Sequence, residues 1–189
     1  MPDPELNLRP AIFVDRDGVL IENRKEYIRR PCHIHVFQQA IEAAKRITAS
    51  PFALVVVSNQ AAVGRGILSM QRVCALNRRI VRLYEREGVR IDGSYICPHK
   101  PDDNCDCRKP KPGMLLQAAR ELNLDLTKSY MVGDNMTDMG AANAAGVKGI
   151  LVRTGLGSAQ LAAAEVPYEG PVAHDLSEAV QMIFNGELG

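Results

Sequence analysis

Ala53-Leu54-Val55-Val56-Val57-Ser58-Asn59-Gln60 is the stretch that decides the architecture. Leu54 to Val57 are apolar at every position, so both faces of a strand built from them must be covered. Strands of that kind belong in a parallel sheet with helices on both sides. Working outward, short β-branched runs alternate with segments of helical period. Strands are predicted over Ala11 to Val14, Ala53 to Val57, Ser94 to Ile96, Ser129 to Val132 and Gly149 to Val152. Helices are predicted over Gln38 to Thr48, Ser69 to Glu87, Met114 to Leu122 and Thr137 to Ala145. This rhythm implies a doubly wound α/β fold, and 189 residues suit a single domain over 1–189.

Composition narrows the function classes. Lys plus Arg number 23 and Asp plus Glu 22, a net charge of +1, and Trp is absent. Neither a basic footprint nor aromatic stacking platforms for nucleic acid are present, so a small ligand is the expected partner. No apolar run reaches the roughly 18 residues of a spanning helix. Met1 to Pro10 lacks the apolar core of a secretory leader. Five cysteines, three of them between Cys97 and Cys107, fit metal ligation in a reducing compartment better than a disulfide scaffold. The chain therefore reads as a cytoplasmic monomer with no membrane partner.

Three polar clusters follow three predicted strands: Asp15-Arg16-Asp17-Gly18, Ser58-Asn59-Gln60 and Gly133-Asp134-Asn135. In a parallel sheet these ends share one edge, so Asp15, Asp17 and Asp134 converge. Packed carboxylates repel unless a cation sits among them, and a hard ion such as Mg2+ suits oxygen ligands. Asp and Asn after strands are also ordinary turn formers and caps, but three such clusters at one edge favour a site. Two carboxylates two residues apart can divide phosphoryl transfer, one attacking phosphorus and the other protonating the leaving oxygen. Ser58 can donate to a phosphoryl oxygen, while Arg108, Lys109 and Lys111 supply positive charge. The irregular stretches Ile21 to Pro31 and Pro98 to Pro112 follow strands and are candidate substrate loops.

Cys97-Pro98-His99 followed by Cys105-Asp106-Cys107 offers three thiols and one imidazole, the Cys3His composition of structural Zn2+ sites. Unpaired surface cysteines or a local disulfide are the alternatives. A zinc knot there would position the adjacent Arg108-Lys109. Cys32-His33-Ile34-His35 alternates like a short strand, Cys74 reads as a small buried hydrophobe on a helix, and His174 as a solvent or cap residue.

Asp15-x-Asp17-Gly18-Val19, Ser58-Asn59, Lys109 and Gly133-Asp134-x-x-x-Asp138 together resemble the four ordered motifs of the haloacid dehalogenase superfamily of phosphatases, over about Ala11 to Gly155. The resemblance implies a Rossmannoid fold with Asp15 as nucleophile and Asp17 as general acid and base. It also implies Mg2+ on the Asp15 side chain, the Asp17 carbonyl and Asp134, with Ser58 and Lys109 stabilising the phosphoryl group. The short cysteine loop is similar to that of a capless subgroup containing heptose bisphosphate and histidinol-phosphate phosphatases. Asn59 to Gly66 and Lys111 to Leu115 look more like the heptose branch. That branch implies release of the C7 phosphate from D-glycero-D-manno-heptose 1,7-bisphosphate. Asn23, Tyr27, Ser58, Asn59, Gln60, Arg65, Arg108, Lys109 and Asn135 would then contact substrate. Ser58 stands where Thr is common, and Asn135 where the enterobacterial type carries a Lys. Histidinol phosphate or another small phosphomonoester is the runner-up substrate. A non-catalytic phosphate-binding module is the different-class alternative, against which Asp17 argues, because a binder needs no leaving-group acid.

Overall fold

The structure, a computed structural model, describes residues 8–188. Residues 1–7, most of the stretch read as lacking a leader's apolar core, lie outside the described residues. Six parallel strands form one sheet: β1 (Ala11–Val14), β2 (Ala53–Asn59), β3 (Gly93–Cys97), β4 (Tyr130–Gly133), β5 (Lys148–Val152) and β6 (Val172–Ala173), in the order β3-β2-β1-β4-β5-β6. Six helices accompany them: α1 (Gln38–Thr48), α2 (Met70–Arg86), α3 (Gly113–Leu122), α4 (Met136–Ala145), α5 (Gly157–Ala163) and α6 (Leu176–Asn185). The predicted doubly wound fold is the observed one, with shifts at some element ends.

β1 is central, with Ile12 in register with Leu54 of β2 and Tyr130 of β4. Its alternation sorts two cores. Ile12 and Val14 pack with Ile47 of α1, Ile80 of α2 and Val180 of α6, whereas Phe13 packs with Leu115 of α3 and Ala142 of α4. All four β1 residues have 0% exposure, which is why no polar residue interrupts the strand. The winding direction reverses at β1, so the crevice beyond the carboxyl ends of β1 and β4 is the topological switch point where such sheets bind ligands.

Local chemistry sets the helix ends. Ser69 accepts from the Arg72 N–H at the start of α2, and Asn135 with Asp138 forms a capping box on α4. The Tyr84 hydroxyl donates to the Leu20 carbonyl at 2.7 Å and pins α2 to the loop after β1. No helix among the described residues is long and apolar enough to cross a membrane.

Two local expectations are corrected. Cys32 lies in a 3-10 turn, Pro31–His33, with no strand at this position, because Pro31 at the first turn fixes a helical φ. Cys74 is half-buried at a groove beside β3, so it is a wall residue of that groove and not a core hydrophobe. His174 is exposed, as expected, at 80%.

Candidate active site

Asp15 follows β1, Ser58 and Asn59 end β2, and Asp134 follows β4. Since these strands are parallel neighbours, the three positions meet at one edge. They line a cavity of about 250 Å³ together with Asp17, Asn23, Tyr27, Gln60, Arg108, Lys109 and Asn135. Two residues expected near the chemistry stand back from it. Arg65 is not in the wall but donates to the Tyr27 hydroxyl at 2.9 Å, supporting a tyrosine whose φ of 63° is unusual for a side chain of its size. Lys111 pairs with Asp106 at 3.2 Å on the surface, so it adds no charge to the cavity wall.

Lys109 is the hub of the floor. Its Nζ lies 2.6 Å from Asp15 Oδ1 and 2.5 Å from Asp138 Oδ1, and it donates to the Val57 carbonyl at 2.9 Å. Asn59 holds the Lys109 backbone from both sides, accepting from its N–H and donating to its carbonyl, each at 3.1 Å. Burial opposes the ammonium charge, yet Asp138 and Asp15 outweigh it and hold the group above its usual range. Asp138 is the residue that sequence reasoning left without a role. Its place three residues after the cap Asn135 was the available signal, since a capping carboxylate there projects back toward the strand end.

The carboxylates are crowded. Burial pushes Asp15 up to about 8, with Lys109 working against the rise and Asp138, Asp134 and Asp17 adding to it. Burial also raises Asp134 to about 6, although it accepts the Leu156 N–H at 2.7 Å. Oxygens of Asp15, Asp134 and Asp138 lie within 4.8 Å of one another. Gly18 and Gly155 close in on Asp134, where a Cβ would fall 2.0 Å and 2.1 Å from its Oδ2. This hard-oxygen cradle could hold a divalent cation. Asp138 is already engaged by Lys109 and by the Asn135 N–H, which leaves Asp15 and Asp134 as the better side-chain ligands. The Asp17 side chain is not in this cluster; it turns to Arg16 and Gln60, while its carbonyl accepts no hydrogen bond among the described residues.

Beside the cavity, the Cys97, Cys105 and Cys107 sulfurs and His99 Nδ1 converge with separations of 3.1 to 3.7 Å. All three cysteines are free, which removes the local disulfide, and the four groups could hold one tetrahedral ion. This knot is joined to the site on two sides. Arg108 Nη1 donates to the His99 carbonyl at 3.0 Å, and the Gln60 N–H donates to the Cys97 carbonyl at 2.7 Å.

The HAD-hydrolase-like family model matches residues 106–179. A D-glycero-beta-D-manno-heptose-1,7-bisphosphate 7-phosphatase of Yersinia pestis is 42% identical over 154 residues, covering 77% of this chain and 81% of that protein. One of Bordetella bronchiseptica is 33% identical over 172 residues, covering 91% and 96%. The crystal structure of D,D-heptose 1,7-bisphosphate phosphatase from B. bronchiseptica, complexed with magnesium and phosphate, matches with a TM-score of 0.86 at 32% identity, covering 94% of this chain and 99% of that one.

The raised carboxyls give a pH dependence with a definite sign. Folded Asp134 and Asp15 keep protons that the unfolded chain, with carboxyls near 3.8, releases. Their contribution to stability is therefore present below that value and lost as pH rises through about 6 and then about 8. Urea unfolding in chelator is expected to show this decline, Asp134→Asn to make it shallower below about 6 while the part due to Asp15 remains, and added Mg2+ to remove it. A decline that Asp134→Asn leaves intact would assign it to other groups.

Proposed function

We propose that this chain, which belongs to the D-glycero-beta-D-manno-heptose-1,7-bisphosphate 7-phosphatase family of HAD-like hydrolases, releases the C7 phosphate of D-glycero-beta-D-manno-heptose 1,7-bisphosphate and leaves the 1-phosphate. The observation that carries the reading is the charge layout of the cavity, acting on substrates that the family makes plausible. Lys109, Ser58 and the carboxylates form a phosphoryl site at the floor. Of the guanidiniums in the wall, those of Arg24 and Arg108 have no carboxylate partner among the described residues. A substrate with a second phosphate satisfies those guanidiniums. Histidinol phosphate, whose remote end carries an ammonium at neutral pH, meets like charge there instead.

In this reading Asp15 attacks phosphorus. A bond from its carboxylate oxygen to phosphorus forms as the bond from phosphorus to the C7 oxygen breaks, and Asp17 delivers its proton to that departing oxygen. Water then attacks the aspartyl phosphate and gives its proton to Asp17, so inorganic phosphate leaves and Asp15 returns as a carboxylate. Lys109 neutralises charge on the transferring group, and the Ser58 hydroxyl donates to one of its oxygens. Asp15, Asp134 and the Asp17 carbonyl would hold Mg2+, which when bound supplies further positive charge at the phosphoryl oxygens. Asn23, Tyr27, Asn59, Gln60 and Asn135 line the sugar side, and Arg65 acts through Tyr27. The reading takes residues 1–189 as one domain, working as a monomer in the cytoplasm, with Zn2+ on Cys97, His99, Cys105 and Cys107 as a structural ion.

Comparison of kcat/KM over both heptose bisphosphate anomers, heptose 7-phosphate and histidinol phosphate tests the substrate. The heptose bisphosphate is expected to lead, and Arg108→Ala to cost it about 1.5 to 3 kcal/mol more than it costs the monophosphate, the scale of a charge-assisted hydrogen bond. A lead for histidinol phosphate would overturn the reading.

The zinc assignment has its own measurement. Dialysed protein is expected to contain about one zinc per chain, and Cys105→Ser to lose it, with the loop from 97 to 107 becoming protease-sensitive, because structural zinc carries folding free energy. Zinc content unchanged by Cys105→Ser would reject the assignment.

A further inference from the structure

Arg16 sits between the two catalytic aspartates in sequence and is almost wholly buried, at 2% exposure. Its Nη2 donates to both carboxyl oxygens of Asp17, at 2.8 Å and 3.1 Å. Among the described residues that carboxylate is its one ionic partner, and its Nε, also buried, has no partner at all. Burying a charge is costly unless it is paired and hydrogen-bonded, and among the described residues the ionic pairing of this guanidinium goes wholly to Asp17. On its other side Asp17 Oδ2 accepts from Gln60 Nε2 at 2.8 Å, and the same amide donates to Ser58 Oγ at 2.9 Å. The groups therefore form one hydrogen-bonded chain, Arg16 to Asp17 to Gln60 to Ser58, running from the buried guanidinium to a hydroxyl in the cavity wall.

We propose that Arg16 is the positioning residue of the acid-base step: with Gln60 it fixes the rotamer and orientation of the Asp17 carboxyl relative to the phosphoryl site. The inference rests on the reading of Asp17 as general acid and base given above. Asp17 has rotatable bonds and stands at the cavity wall with a side-chain exposure of 21%, so without a grip on its oxygens it would sample several orientations. Arg16, itself part of the cavity wall, supplies that grip. Gln60 ties the same carboxyl to Ser58, so that the phosphoryl contact and the proton donor hold a fixed separation. The role assigned to the guanidinium passes through Asp17, its one ionic partner among the described residues.

A leaving-group series separates this role from a purely structural one. Sugar and alkyl phosphates need a proton on the departing oxygen, whereas p-nitrophenyl phosphate expels a stable phenolate without one. Asp17→Asn, Arg16→Met and Arg16→Lys are compared on both classes, with urea unfolding of each. Arg16→Met is expected to lower kcat/KM for the sugar phosphate about 100-fold, within the range typical of general acid catalysis, and that for p-nitrophenyl phosphate less than about fivefold. Arg16→Lys, which keeps the charge but loses the two-oxygen grip, should fall between Arg16→Met and wild type, and it carries the test if Arg16→Met fails to fold. KM for the sugar phosphate should stay within about threefold, so that the loss lies in kcat. Equal losses of both substrates in the Arg16 variants, beside a leaving-group-dependent loss in Asp17→Asn, would make Arg16 structural and overturn this inference alone. A loss in Asp17→Asn that ignores the leaving group would overturn the reading of Asp17 and this inference with it.

Discussion

The buried ammonium of Lys109 is the interaction on which the rest of the site depends. Four carboxyls stand around the strand edge, and burial pushes those of Asp15 and Asp134 above the usual carboxylate range. Held between Asp15 and Asp138, Lys109 supplies the fixed positive charge that works against that rise. Breaking a buried pair by removing one partner costs about 3 to 5 kcal/mol, so the chain must hold this lysine firmly. It does so with backbone chemistry: Asn59 at the end of β2 brackets the lysine, the Val57 carbonyl accepts from its Nζ, and the cysteine-histidine knot secures the neighbouring Arg108.

The strand order makes this economical. β1, β2 and β4 are adjacent, and each ends in one part of the machinery: a carboxylate pair, a hydroxyl and amide pair, and a carboxylate followed by a helix cap. Lys109 arrives from the loop before α3, so the ammonium enters across the sheet edge at the open end of the crevice. Glycine is required at 18 and 155 because the backbone passes against Asp134 with no room for a side chain, and both positions have positive φ.

Much of this was legible in the sequence, for identifiable reasons. Leu54 to Val57 and Ala11 to Val14 announce two-sided burial, which fixes parallel strands and therefore the edge where Asp15, Ser58 and Asp134 meet. Lys109 and the grouping of Cys97, His99, Cys105 and Cys107 were legible from motif and spacing. What escaped depends on three-dimensional neighbours. Arg16 looks like a surface residue between two aspartates until the fold buries it, and Asp138, present in the fourth motif, has no role until Lys109 is seen against it. The segment after Val152 was silent because α5 is seven residues long and β6 two, too short for periodicity. The signal that was present there is Asp175, whose side chain accepts from the Glu178 N–H and starts α6. Lys111 misled because a run of basic residues in sequence says nothing of which one turns inward.

The central claim is that the oxygen of Asp15 held by Lys109 attacks phosphorus. Enzyme turning over heptose bisphosphate is quenched in acid on the millisecond scale, digested and analysed by mass spectrometry. The account predicts one phosphoryl group on the peptide that contains Asp15, appearing before phosphate release and absent from Asp15→Asn. Turnover at the full rate with no phosphorylated peptide at any quench time, or phosphoryl on a different residue, would contradict it.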